Sequence, residues 1–271
     1  MEKLAIIGSG NLGSSMAQGL TQSGLYRPAE ITLTRRRLEL LSEFKEQGFN
    51  ITRDNLEAVK NSSVIILAVE PQQIDGVLQE IASSLVKGKH LLISVVTGVT
   101  IKQIAQKLHK DLDIVRAMPN TAIAIRQSMT CIATESNNKD AISKTIEIFD
   151  TVGKSMVIHE ELMGSATALA ACGLAFFMRA IRAASQGGVE IGFHADKALA
   201  IAAQTAKGAA SLLLENKRHP EYEIDKVTTP RGVTIAGLNQ MEHDGFSSAM
   251  IKGIVTAAEK SAKLYAGKDS D

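Results

Sequence analysis

Apolar residues in the first part of the chain come in short, nearly continuous runs. Leu4-Ala5-Ile6-Ile7, Val64-Ile65-Ile66-Leu67-Ala68-Val69 and His90-Leu91-Leu92-Ile93-Ser94-Val95-Val96 are stopped by glycine, proline or polar residues. Runs of this length read as strands buried on both faces. The pattern predicts strands over residues 4–7, 30–34, 64–69, 90–96, 114–118, 128–133 and 155–158. Amphipathic stretches between them predict helices over 14–20, 38–48, 74–85, 100–109 and 139–149. Such alternation implies a mostly parallel, doubly wound sheet with right-handed crossovers. Past residue 160 no strand pattern follows, and residues 166–185 and 195–214 are apolar around most of a helical circumference. Helices of that kind are buried in a core or against another subunit. The expected organisation is an α/β domain over 1–159 and an all-α domain over 160–271. A domain that short cannot cover these surfaces by itself, so a homodimer with interleaved C-terminal helices is expected.

Charge removes several function classes. Thirty basic and 29 acidic side chains in 271 residues leave a formal charge of +1, so no long-range field draws the chain to nucleic acid or an anionic membrane. Cys131 and Cys172 sit in apolar surroundings without metal-ligand spacing, as suits a reducing compartment. The six histidines are scattered, so no metal site is expected. No apolar run reaches the roughly 18 residues of a membrane helix, and residues 4–7 are needed inside the fold rather than in a signal peptide. The expectation is a soluble, cytoplasmic protein.

The first apolar run leads directly into Gly8-Ser9-Gly10-Asn11-Leu12-Gly13 and then a helix. This is a dinucleotide fingerprint in its strand–turn–helix context. Gly8 makes the turn, Gly10 admits a pyrophosphate, and Gly13 lets helix and strand pack closely. The helix N-terminus offers free N–H groups and partial positive charge to phosphates. The second strand ends in Thr34-Arg35-Arg36-Arg37, where an NAD-binding chain usually carries an acidic residue. Arginine there fits a 2′-phosphate, which favours NADP over NAD. Ligands of doubly wound sheets lie beyond the C-terminal strand ends. That adds Ala68, Val69, Glu70 and Pro71, together with Met118 and Asn120, as cofactor candidates. Asn55, read as a loop residue, is a further polar candidate. Pro119-Asn120-Thr121 reads equally as plain turn chemistry. A second segment, residues 225–238, places hydroxyl residues and glycine between two helical stretches, and Thr234 begins an amphipathic run. It reads either as an anion site at a helix start or as a Thr-capped helix after a proline turn.

Several of these pieces carry a resemblance. Residues 6–13, Leu67-Ala68-Val69-Glu70-Pro71, residues 93–100, Arg116-Ala117-Met118-Pro119-Asn120-Thr121 and residues 227–238 are similar, in this order, to the pyrroline-5-carboxylate reductase family of proline biosynthesis. The first piece is generic. The Met-Pro-Asn-Thr and Thr-Pro-x-Gly-x-Thr-Ile-x-Gly-Leu pieces are specific. The resemblance implies an α/β Rossmann N-terminal domain, an all-α C-terminal dimerisation domain, and NADPH-dependent reduction of 1-pyrroline-5-carboxylate to L-proline. It implies that Thr229, Gly232, Val233 and Thr234 hold the substrate carboxylate through backbone N–H groups. The Thr234 hydroxyl would lie near the ring nitrogen, which makes Thr234 the catalytic candidate. Departures are Glu70 where lysine is usual, Ala122 for proline, Ala171-Cys172-Gly173-Leu174-Ala175-Phe176 for Gly-Ser-Gly-Pro-Ala-Tyr, and Arg231 for glycine. Arg231 either pairs with the carboxylate or is solvated, and a loop relaxed out of the left-handed backbone region is expected there. One alternative is a small-acid dehydrogenase of the 3-hydroxyacid or ketopantoate type. The absence of lysine between Lys154 and Lys197 weakens it. The other is a non-catalytic module that senses NADP.

Overall fold

The computed structural model of the chain describes residues 2–136 and 138–263. They fall into two compact units, one holding the chain up to Cys172 together with the part from Ala257 onward, the other Gly173–Thr256.

The first unit is built on an eight-stranded sheet. Its elements are β1 (Leu4–Ile7), α1 (Asn11–Gln22), β2 (Ile31–Thr34), α2 (Ser42–Glu46), β3 (Asn50–Thr52), α3 (Asn55–Lys60), β4 (Val64–Leu67), α4 (Ile74–Ile81), β5 (Leu91–Ser94), α5 (Ile101–Leu108), β6 (Asp113–Met118), β7 (Ser128–Thr134), α6 (Lys139–Asp150), β8 (Gly153–Val157) and α7 (Met163–Ala166). The strand order is β3-β2-β1-β4-β5-β6-β7-β8, parallel except where β7 runs against β6. Ile7 stands level with Thr34 on one side and Leu67 on the other, so three strands end at one line. Alternate residues of β1 serve opposite faces. Leu4 and Ile6 pack with Met16, Leu33 and Phe149, while Ala5 and Ile7 pack with Leu67, Leu78 and Ile104. Each fully buried aliphatic side chain contributes about 1.5–3 kcal/mol.

Two elements were too short to show a period. β3 and α3 follow the predicted 38–48 helix, which itself divides into a 3₁₀ turn, Leu38–Leu41, and α2. Asp54 caps α3 by accepting the Glu57 N–H at 2.9 Å. Asn55, expected in a loop, is therefore the first residue of a helix. By contrast α5 matches its expected span. Thr100 and Gln103 form a reciprocal capping box at its start, and His109 ends it in the left-handed region.

The expected division after residue 159 falls earlier than the one between the compact units. Met163 and Ala166 are buried with Met118, Cys131 and Ala133, so the first helical turns after β8 pack on the sheet. Residues Thr167–Cys172 then form a π-helical turn.

The second unit contains α8 (Gly173–Glu190), α9 (Ala195–Asn216), α10 (Pro220–Val227) and α11 (Val233–His243), with most of α12 (Phe246–Lys263). A side chain at Gly188 would come within 3.0 Å of the Ala198 methyl, so glycine sets how closely α8 and α9 pack. Little else of these helices is covered. Phe177 is 59% exposed, Ile191 and Leu214 77% each, and Ile251 62%. The expectation of no membrane-length apolar stretch does not hold. The continuous helix over Glu160–Glu190, 31 residues, is long and apolar enough by length and composition. Reading unbroken apolar runs missed it because Gly164, Ser165, Thr167 and Gly173 interrupt the run without adding charge, and residues 163–178 contain no charged side chain.

One buried titratable group gives the sheet unit a pH dependence. His90 is buried, and its Nδ1 accepts the Val86 N–H at 2.9 Å, which requires the neutral ring. Burial, assisted by the Lys89 ammonium, lowers its pKa below the usual 6.5. The unfolded chain therefore takes up this proton first as pH falls. The His90 contribution is complete above about pH 6.5 and is lost as pH drops from there towards the lower folded value. Urea unfolding at pH 7.5 and 5.5 should show a stability loss that shrinks in His90→Gln. An equal loss in both proteins would remove His90 as the cause.

Candidate active site

The turn after β1 is shaped by its glycines. Gly8 has φ +96°, and a Cβ there would lie 2.6 Å from Val69 Cγ1 and 2.8 Å from the Ala68 carbonyl oxygen. A Cβ at Gly13 would lie 2.6 Å from the Gly8 carbonyl oxygen. Gly10 differs, since a Cβ there would meet nothing within 4 Å. The two outer glycines are demanded by the fold, and the middle one opens onto free space. Gly10 is also the N-cap of α1, with no side chain capping it. Ser14 N–H donates to the Gly10 carbonyl, which leaves the amides of Asn11, Leu12 and Gly13 without partners inside the helix. An open, glycine-floored helix start of this kind fits a pyrophosphate.

Thr34 supports this turn from beneath. It is buried, its hydroxyl accepts the Gly8 N–H at 3.3 Å, and its carbonyl accepts the Ser9 N–H at 2.9 Å. Arg35 is half-buried and Arg36 exposed, and no acidic side chain pairs with either among the described residues. Both guanidiniums are available to a phosphate beside the cradle. The end of β4 lies against the same turn, with Ala68 N–H donating to the Ile7 carbonyl at 2.8 Å. Glu70 is exposed and Pro71 opens a 3₁₀ turn. The sheet register thus brings residues 8–13, 34–36 and 68–71 together.

Other candidates have internal partners. Asn55 donates its amide to the Glu80 carboxylate at 2.9 Å. Met118 is core. Asn120 is 9% exposed, donates from Nδ2 to the Ala170 carbonyl at 2.9 Å, and accepts the Ala122 N–H through Oδ1. Its side chain ties the end of β6 to the π-helical turn.

The 229–234 segment lies in the other unit. Gly232 N–H donates to the Thr229 carbonyl at 2.8 Å, closing a four-residue turn with Pro230 second and Arg231 third. Arg231 has φ +60°, contrary to the expected relaxed conformation. The positive angle belongs to a type II turn, which requires it at the third position, so the turn imposes it on arginine. A Cβ at Gly232 would lie 2.4 Å from the Thr229 hydroxyl oxygen and 2.9 Å from its carbonyl oxygen, so only glycine fits. Gly232 is the N-cap of α11, again without a side-chain cap. The reading as a Thr-capped helix fails, and the amides of Val233, Thr234 and Ile235 begin the helix uncapped. Val233 is 91% exposed and Thr234 half-buried.

One pair escaped the reading by motifs. Arg116, 4% exposed in β6, donates from Nη1 to Glu160 Oε1 at 3.1 Å, and the same oxygen accepts the Ile101 N–H at 2.7 Å. Burial lowers the Arg116 pKa and the Glu160 carboxylate opposes that shift. The signal was an arginine inside an apolar strand, because a buried charge requires a partner. The pair borders a cavity of about 760 Å³, also lined by Gly98, Thr100, His159 and Ser261.

Comparison with known proteins agrees with this two-part layout. Residues 160–264 match a family model described as pyrroline-5-carboxylate reductase dimerisation. Residues 3–98 match one described as NADP oxidoreductase, coenzyme F420-dependent. Pyrroline-5-carboxylate reductase 1 of Dictyostelium discoideum is 52% identical over 99% of this chain, which spans 51% of that protein's own length. Pyrroline-5-carboxylate reductase 2 of the same organism is also 52% identical, over 98% of this chain and 94% of the relative. In fold the chain is similar to a Plasmodium falciparum pyrroline carboxylate reductase crystallised with NADP bound, at TM-score 0.89 and 24% identity, covering 97% and 98% of the two chains. Identity of this level along nearly the whole of the second relative shows that the chain belongs to the pyrroline-5-carboxylate reductase family.

Proposed function

We propose that the chain catalyses the NADPH-dependent reduction of 1-pyrroline-5-carboxylate to L-proline, as a cytoplasmic homodimer or higher homo-oligomer. The observation that carries this reading is the open cradle at Gly10, together with Arg35 and Arg36, which no acidic side chain pairs among the described residues, in a chain of this family. Gly8, Ser9, Gly10, Asn11, Leu12 and Gly13 receive the pyrophosphate, with the amides of α1 as donors. Arg35 and Arg36 receive the 2′-phosphate. Ala68, Val69, Glu70 and Pro71 flank the cofactor, while Thr34, Met118, Asn120 and Asn55 shape the site through internal contacts. When bound, the cofactor supplies a hydride from C4 of its nicotinamide. The α11 amides behind the Thr229–Gly232 turn hold the substrate carboxylate, and the Thr234 hydroxyl hydrogen-bonds at the ring nitrogen. The protonated imine is already electrophilic, so these residues need only position it and fix its charge. The uncovered helices of the second unit, in the region of the dimerisation model, support self-association. The free cysteines Cys131 and Cys172 suit a reducing compartment.

The direct test is the fall in NADPH absorbance on adding pyrroline-5-carboxylate. Absence of turnover with this substrate, alongside turnover of a 3-hydroxyacid or ketopantoate, would favour the dehydrogenase reading; NADP binding without turnover of any of them would leave the sensing module. In the same assay, Arg35→Ala with Arg36→Ala should raise the Michaelis constant for NADPH at least tenfold and that for NADH about twofold or less, since each charge-assisted bond contributes roughly 1.5–3 kcal/mol. Equal losses with both cofactors would refute the 2′-phosphate assignment.

A further inference from the structure

We infer that Glu160 is a positioning residue for hydride transfer, acting by fixing the loop between β5 and α5 that forms the nicotinamide side of the crevice. The inference rests on the cofactor reading above. The strand order changes direction between β1 and β4, and a dinucleotide spans such a switch point. The glycine turn and Arg35 with Arg36 take the adenosine half at the ends of β1 and β2. The ends of β4, β5 and β6 remain for the nicotinamide.

The loop leaving β5 contains Gly98 at φ +80° and closes at Thr100, the cap of α5. Its far end is held from 59 residues away by Glu160, through the Ile101 N–H. A carboxylate there also complements the positive end of the α5 dipole. Glu160 is itself fixed by the Arg116 guanidinium. Arg116 Nε is buried with no hydrogen-bond partner, so Glu160 is the only carboxylate neutralising that charge among the described residues. A few residues on, Ala170 accepts the Asn120 amide. The segment 160–172 thereby holds both the β5 and the β6 loops. Hydride transfer is sensitive to such placement, because a 1 Å error in position costs on the order of a hundredfold.

Glu160→Gln keeps the shape and removes the charge. Because it leaves Arg116 buried and unpaired, it is compared with the double variant Arg116→Gln, Glu160→Gln, in which no charge is stranded. In both, kcat should fall at least tenfold, and the primary isotope effect with NADPH deuterated at the transferred position should rise. Affinity for 2′,5′-ADP, which probes the adenosine half alone, should stay within twofold. The ratio of NADPH affinity to 2′,5′-ADP affinity should fall, and this readout needs no turnover. A wild-type protein inactive on pyrroline-5-carboxylate would therefore sink the substrate assignment, while the affinity ratio still decides the role of Glu160. If Glu160→Gln does not fold, the double variant decides alone. Turnover and affinity ratio within twofold of wild type in the double variant would show that Glu160 only balances a buried charge, and would overturn the inference.

Discussion

Replacing Gly232 with alanine should lower kcat/KM for pyrroline-5-carboxylate by about a hundredfold, or roughly 2.7 kcal/mol of transition-state stabilisation, with NADPH affinity unchanged. The added methyl would stand 2.4 Å from the Thr229 hydroxyl oxygen and 2.9 Å from its carbonyl oxygen. The side chain can rotate away, but the backbone oxygen cannot move without opening the turn. That turn sets the direction of the first amides of α11, so its loss would displace together every donor proposed for the carboxylate. Thr234→Ala, which leaves the turn intact, should lower kcat about tenfold with a smaller change in KM, as expected of one lost hydrogen bond of about 1.5 kcal/mol. Steady-state kinetics and fluorescence titration of NADPH separate the two effects. An unaffected Gly232→Ala enzyme would place the carboxylate elsewhere.

Converting Phe177 to aspartate should abolish self-association and take activity down at least tenfold. In one chain this ring is 59% exposed on α8, close in sequence to Met178, which is 52% exposed. Burying a phenylalanine contributes about 2–3 kcal/mol, and in a twofold assembly the contribution is made twice. Aspartate would also place two charges without partners in an apolar interface. Sedimentation velocity at assay concentration should show a monomer where the wild-type protein shows a dimer or larger species. A variant that still associates and turns over normally would mean that α8 is covered in some other way.

The sheet was legible because its strands are apolar on both faces and its first turn carries glycines with distinct duties. Those duties reappear as the contacts a side chain would make at Gly8 and Gly13 and the free space at Gly10. Short elements were not legible. β3 has three residues and α3 six, fewer than a period needs to declare itself. Arg231 shows a different limit. Residue preference argues for a relaxed backbone, but the hydrogen bond from Gly232 to Thr229 fixes the turn type, and the local preference yields. The Arg116–Glu160 pair was invisible to motif reading because its partners lie 44 positions apart, although a buried arginine in β6 announced that a partner had to exist. The Glu160–Glu190 helix is hard to read for the opposite reason, since small polar residues break up its uncharged stretch and leave no unbroken apolar run.

That helix has a consequence for how the protein is made. The helix is 31 residues long, more than the roughly 20 that cross a bilayer, and its residues 163–178 carry no charge. While a newly synthesised chain remains alone, Leu169, Phe177 and Met178 on this helix stay exposed to water. Pairing is bimolecular, so the time spent in this exposed condition lengthens as the chain becomes scarce, and aggregation or proteolysis competes throughout. Lowering expression should therefore reduce the yield of assembled enzyme more than proportionally. The abundance of the chain then sets what fraction of it survives as well as how much is active.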